Sequence, residues 1–292
     1  MATAVQPSYM KENHAARLAG RICLYALCLI TAFLVIFPLL VLVITITHSD
    51  AEIQAGFTFA FGSSLGDNFK GLVNELEGKG ISLFRPFLNS VFISLTSTGL
   101  CIYFSALTAY ACHVYDFKGK KFFEKFILFL IIIPGQLGAV GFFRLMLDLN
   151  FYDTYVPFIL PAIAAPSTVY FLRQYLKSNF SKEYVDAARM DGASEFRIFN
   201  MICLPYIKAA LATMALFGII SSWNNFMGPM TFLQSHELFT LPRVMNELLT
   251  MQDKDYGIIY LGSFVITLPM LIVYLFMSKI IMKGVSAGGL KS

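Results

Sequence analysis

Residues Ser181–Pro205 read SKEYVDAARMDGASEFRIFNMICLP, the longest charged run in an otherwise apolar chain. Apolar residues recur in it at Tyr184, Ala187 and Ala188, and again at Phe196, Phe199 and Cys203. Those spacings place one apolar stripe on each of two short helices. Asp191-Gly192 lies between them, and a glycine there supplies the left-handed backbone that ends a helix and turns the chain. The prediction is a helix, a glycine break and a second helix. An amphipathic linker that rests on lipid headgroups ordinarily carries an excess of Lys and Arg on its polar face. Here Lys182, Arg189 and Arg197 are outnumbered by Glu183, Asp186, Asp191 and Glu195. That mixture points to a protein partner.

The surroundings say where this segment lies. Of 292 residues, 57% are hydrophobic and 14% charged, against about 25% charged in soluble domains. The fold class expected is an all-α integral membrane protein. The net charge of +4 comes without a basic cluster interleaved with aromatics, so it gives no support for nucleic acid as a partner. Hydropathy divides the chain into a polar tail at 1–21, a six-span domain at 22–282 and a second tail at 283–292. The spans are expected at about 22–47, 87–113, 122–147, 155–175, 206–227 and 258–282. The first apolar run exceeds the ~7–15 residues of a signal-peptide core, so it reads as a retained span, kinked at Pro38. His48–Arg85 is a long polar stretch whose glycines argue against a helix throughout. Gly228–Gly257 is a second polar excursion.

Six spans put both termini on one side, and the Lys and Arg bias names that side. Of 22 such residues, all but Lys70, Lys79, Arg85, Arg144, Arg243 and Lys254 fall in or beside the tails, the 114–125 turn and the 173–208 segment. The termini and the 181–203 segment are therefore expected to be cytoplasmic, and the stretches 48–85 and 228–257 to face outward.

With these residues in place a family resemblance becomes specific. Asp186-Ala187-Ala188, then Gly192, then Ile202, Leu204 and Pro205 resemble the "EAA" coupling loop of permease subunits in bacterial ABC importers. The DGAS run at 191–194 is similar to the carbohydrate branch, that of the second maltose permease subunit. Asp186 stands where Glu is usual. The resemblance runs from about Phe87 to the end and implies a type I importer permease of the bacterial cytoplasmic membrane. It implies that Glu183, Asp186, Ala187, Ala188, Asp191, Gly192, Phe196 and Pro205 couple the chain to a separate ABC ATPase dimer. It also implies a second permease subunit, with which this chain forms a heterodimer, and an extracytoplasmic solute-binding protein touched by Met251, Asp253 and Tyr256. ATP and Mg would sit on the ATPase, with no cofactor on this chain. The glycine-rich tail, with Gly284, Gly288 and Gly289, is expected to be extended, since glycine opposes a stable helix.

No catalytic constellation competes with this reading. His14, His48, His113 and His236 lack metal-ligand spacing. EGKG at 77–80 lacks both the earlier glycine and the Ser or Thr of a phosphate loop. Cys23, Cys28, Cys101, Cys112 and Cys203 lie in spans or at their cytoplasmic edge, so no disulfide framework is available. Ion-driven carriers bury ionisable groups at the midplane, whereas the polar set here is neutral: Gln136, Thr213, Ser221, Ser222, Ser263 and Thr267. Such groups suit an uncharged polyhydroxy solute, and each also serves as interhelical glue. Gln136 beside Pro134-Gly135, together with Ser221, Asn224 and Asn225 around the Trp223–Phe226 run, are the pathway candidates. The competing readings are a stand-alone secondary transporter and an ABC permease for a glycerol phosphoester, and the latter would need cations at the cavity.

Overall fold

A computed structural model describes the backbone of residues 14–289 and the side chains of residues 18–276. The rest of the two expected tails lies outside the described residues. Among the described residues the regular structure is helical throughout. Helix α1 (His14–Thr45) is followed by α2 (Asp50–Ala55) and α3 (Leu65–Gly78), which occupy the first polar stretch. Then come α4 (Phe84–Val114), α5 (Lys120–Ile132) and α6 (Ala139–Asp148). The α5–α6 pair bends by 86°. Ile133, the residue before Pro134, is extended at ψ 121°, as the proline ring requires of its predecessor.

Short α7 (Val156–Ile159) and α8 (Pro166–Asn179) form one proline-interrupted span. Next are α9 (Glu183–Met190), α10 (Glu195–Ile198), a π turn over Phe199–Cys203, α11 (Leu204–Tyr206) and α12 (Lys208–Trp223). Pro205 has no N–H to give the Met201 carbonyl one turn back, which accounts for the widened turn ahead of it. The stretch from α10 to α11 meets α12 at 79°. The chain ends with α13 (Met227–Phe232), α14 (Leu241–Leu249) and α15 (Tyr256–Gly289). Four helices are long and apolar enough to cross a membrane, and six spans result if each bent pair counts as one.

Three expectations are corrected. Residues 14–21, assigned to a tail, are already helical in α1, because Ala15, Ala16, Leu18 and Ala19 are strong helix formers that extend the span outward. The C-terminal glycines are helical in backbone to Gly289. A glycine costs a helix only ~1 kcal/mol, and a long preceding span has already met the cost of nucleation. The excursion 228–257 is not loop throughout: its first residues belong to α13, His236–Leu238 form a 3-10 turn, and Leu241–Leu249 form α14.

Two apolar cores organise the molecule. One joins Ala106, Ala109 and Tyr110 of α4 with Leu172 and Leu176 of α8, Val185 and Ala188 of α9, and Ile198, Phe199, Cys203 and Ile207 beyond the glycine. The other joins Leu72 and Leu76 of α3 with Val244 and Leu248 of α14 and Ile258, Ile259 and Leu261 of α15. Helix α1 stands apart, with no residue of its most apolar stretch buried in the chain's own bundle. Its surface is left for lipid or for another subunit.

Candidate functional site

The segment 181–205 is built by its own side chains. Helix α9 ends at Asp191, and Gly192 takes φ +80°, a backbone that other residues enter only at a cost. A Cβ at Gly192 would have open space around it, so the need for glycine is conformational and not steric. Arg189 closes the turn. Its Nη1 donates to Asp186 at 3.1 Å and its Nε donates to Glu195 at 2.6 Å, so one guanidinium holds both helices. Tyr115, just past α4, donates its hydroxyl to Glu195 at 2.5 Å and lies under the Arg189 guanidinium, 5.8 Å from ring centre to cation. The Arg189 and Tyr115 hydrogen bonds hold the Glu195 carboxyl below the ordinary glutamate value. Burial of Tyr115, then its hydrogen bond to Glu195, push that phenol upward.

The stripe differs from its expected register. Val185 and Ala188 are the buried positions of α9, and Ile198, Phe199 and Cys203 follow. Tyr184, Ala187 and Phe196 point outward instead. Tyr184 joins Phe180 and Tyr206 in an aromatic cluster at the rim. Met190 is 88% exposed and Phe196 69%, and Glu183, Asp186, Asp191 and Pro205 are exposed too. The pair of helices thus rests on the bundle by one face and presents charge, methionine and phenylalanine on the other. Large exposed apolar side chains rimmed by charge mark a docking surface.

Helix α12 carries the chain from that surface into a cavity of about 540 Å³ between α4, α8 and α12. Ser97, Thr98, Thr168, Ser221, Ser222 and Asn225 supply its polar lining, and Phe158 and Phe217 its aromatic walls. Among the described residues no Asp, Glu, Lys, Arg or His lines it. Ser97 and Ser222 share a hydrogen bond of 3.1 Å, and Asn225 Oδ1 accepts from the Gly228 N–H at 3.0 Å. The buried Thr98 hydroxyl has no partner among the described residues. Gly218 lets α12 approach this point, since a Cβ there would come within 2.8 Å of Thr98 Cγ2.

Of the pathway candidates, Ser221 and Asn225 reach the cavity. Gln136 sits in the turn between α5 and α6, and Asn224 caps α12; neither lines the cavity. The lining residues Ser97, Thr98, Ser167 and Thr168 went unread in the sequence. A signal existed on α4: Ser90, Ser94, Ser97, Cys101 and Ser105 repeat at helical spacing on one face.

The outer residues are less free than expected. Met251 packs against the outer core. Tyr256 opens α15, and its N–H donates to Asp50 Oδ1 at 2.9 Å. Asp253 is exposed. Nearby, Asn68 donates to the carbonyls of Ile46 and His48 at 2.9 and 2.8 Å, and Lys79 donates to the Glu247 carbonyl at 2.9 Å. Residues 251–256 link α14 to α15, held at Met251 by packing and at Tyr256 by Asp50.

Comparison with known proteins agrees with this architecture. The arabinooligosaccharides transport system permease protein AraQ of Halalkalibacterium halodurans is 38% identical over 89% of this chain and 92% of its own length. AraQ of Bacillus subtilis is 33% identical over 93% and 96%. A chain in the crystal structure of a bacterial ABC transporter involved in the import of the acidic polysaccharide alginate shares the fold, with a TM-score of 0.76 over 95% of this chain and 99% of that one at 22% identity. The family model for the binding-protein-dependent transport system inner membrane component matches residues 7–286. The chain therefore belongs to the binding-protein-dependent transport system inner membrane component family: it is a permease subunit of an ABC importer and not itself the ATPase.

Proposed function

We propose that this chain forms half of a pathway for a neutral sugar or oligosaccharide across the bacterial cytoplasmic membrane. A separate ATPase dimer drives it through the surface of α9 and α10, and that dimer holds ATP and Mg. The observation that carries this reading is continuity. The docking helices, the π turn and α12 form one stretch of chain, and its buried residues share one core with α4 and α8. The same three helices, α4, α8 and α12, wall the cavity. A push on Met190 and Phe196 is thus delivered to Ser221 and Asn225.

The free energy comes from nucleotide binding more tightly to one state of the ATPase, since a ligand shifts an equilibrium only by its differential affinity. The cavity then alternates between the two sides. Hydroxyls, an amide and two phenyl rings, with no ionisable carboxylate or cation, suit a neutral polyol. A charged phosphoester finds no counter-ion there. The relatives named for arabinooligosaccharides are consistent with a sugar. Both termini and the docking surface face the cytoplasm on the Lys and Arg bias. Asp253 and Tyr256, with Gln252 and Lys254, are the exposed part of the outer link left for a solute-binding protein. A second, related permease completes the pathway as a heterodimer, and lipid covers the remaining apolar surface.

The test is to tag the chain in its native cell, solubilise it gently and identify what accompanies it. An ATPase, a sister permease and a solute-binding protein are expected, and competition for uptake by neutral sugars but not by anionic analogues. A chain that elutes alone and supports uptake in ATP-free liposomes would overturn the reading.

A further inference from the structure

A second concavity, of about 190 Å³, lies between α5 and α8 and shares no lining residue with the larger cavity. Its polar end carries Lys121, Lys125, Arg173 and Glu124. Glu124 is committed to Arg173, Oε1 to Nη2 at 2.6 Å. The Arg173 Nε is buried without a hydrogen-bond partner among the described residues. Lys120, the neighbouring cation, is occupied by Asp116 at 3.0 Å, and Lys182 lies 3.7 Å from the same carboxylate. Lys121 and Lys125 have no such partner among the described residues. They are four residues apart on one helix, an arrangement of like charges that destabilises a helix. A third cation faces them from α8. The cluster carries a surplus of positive charge that the chain itself does not balance.

The other end of the concavity is apolar. Ile127 and Leu128 lie one turn further along α5, and Val169 one turn back along α8. Since both helices belong to membrane spans, the cations sit at the membrane border and the apolar residues lead inward. Cations at the border above an apolar groove match the junction of an anionic headgroup with its acyl chain.

We propose that this groove binds an anionic phospholipid. Its phosphodiester lies among Lys121, Lys125 and the Arg173 Nε, and its first methylenes lie along Ile127, Leu128 and Val169. A bound lipid also ties α5 to α8 beside the docking segment, so lipid composition would bear on transport.

The experiment uses the assembled importer, delipidated in neutral detergent and titrated with phosphatidylglycerol, phosphatidylcholine or glycerol phosphate, with retained molecules counted by native mass spectrometry. Phosphatidylglycerol should be retained preferentially. Each lysine should contribute about fivefold, so Lys121→Gln with Lys125→Gln should weaken retention by about 25-fold. Lys121→Arg with Lys125→Arg should keep it, and Lys254→Gln, in the link before α15, should leave it unchanged. Each variant is first shown to assemble with the ATPase at the unmodified level. Equal retention of phosphatidylglycerol and phosphatidylcholine would overturn the proposal, as would retention indifferent to the two lysines. Glycerol phosphate bound as tightly as the lipid would also overturn it, by making the site one for free phosphate esters.

Discussion

The two polar interruptions that flank α12 meet opposite fates. Residues 181–205 lay Val185, Ala188, Ile198 and Phe199 on the bundle but leave Met190 and Phe196 in the open. Residues 228–257 bury Leu233, Phe239, Val244 and Leu248 in the second core and Leu241 close by, leaving Leu249 and Tyr256 exposed. Asp50 holds Tyr256 at the far end of this stretch, and Lys79 holds the Glu247 carbonyl within it. One segment is finished within the chain and the other is not. Exposed Met and Phe beside charges of both signs suit the proposed contact with another subunit, whereas a largely buried segment contributes to the stability of its own chain.

That contrast can be broken by substitution, beginning with the largest effect. Gly192→Val should reduce uptake more than tenfold while ATP hydrolysis continues. A β-branched residue at φ +80° costs more than the ~1–2 kcal/mol of an ordinary left-handed residue, and the strain falls on the turn that orients α9 and α10. Gly192→Asn should be milder, because asparagine tolerates that backbone. Uptake and ATPase rates in proteoliposomes, with substrate and binding protein supplied, check both. Wild-type uptake by Gly192→Val would remove the coupling role of this turn.

Leu248→Ala, at the closed segment, should cost ~2–5 kcal/mol of stability with unchanged uptake per folded molecule, as measured by thermal unfolding and by uptake normalised to folded protein. Phe196→Ala should show the converse. Its stability change should stay within ~0.5 kcal/mol, as for other surface sites, while recovery of the ATPase with the permease falls by about tenfold if Phe196 is an anchor of the interface. If Leu248→Ala uncoupled transport and Phe196→Ala only unfolded the chain, the assignment of the two segments would be reversed.

The smallest effect is that of pH. Glu195 titrates below the ordinary glutamate value of 4.5 because Arg189 and then Tyr115 hold its charged form. A depressed folded value means that the stabilisation is fully present above about 4.5 and is lost as pH falls through the lower folded value. The group is exposed, so the amount is about 1 kcal/mol or less. Unfolding temperatures measured across that acidic range should fall more steeply for the unmodified chain than for Glu195→Gln.

Much of this was readable in advance, and the failures have physical causes. Asp191-Gly192 marks a helix end whatever surrounds it, because the left-handed backbone is a local property. The stripe on α9 was misplaced by one residue. Tyr184 and Val185, like Ala187 and Ala188, are adjacent apolar pairs, so several faces satisfy the period until the bundle selects one. The outer excursion reads as polar by composition, yet Leu241, Val244 and Leu248 stand at helical spacing and needed only the surfaces of α15 and α4 to bury them. The cavity was half visible. Ser221 and Asn225 lie near one another in sequence, whereas Ser97, Thr98 and Thr168 join them only through the packing of α4, α8 and α12. Gln136 beside Pro134 did mark a broken span, but the 86° bend there carries it away from the cavity.

The central claim is that α10 and α12 move as one body, so that force at the docking surface reaches the cavity undiminished. Spin labels on cysteines placed at Arg197 and Asn224, both exposed, in a chain freed of its other cysteines, report the separation across the 79° bend. The measurement belongs in the assembled, transport-competent importer, with and without ATP. A separation that stays constant while the importer cycles is the result expected. A separation that changes with nucleotide would place the motion in the bend at Ile207 and contradict the account.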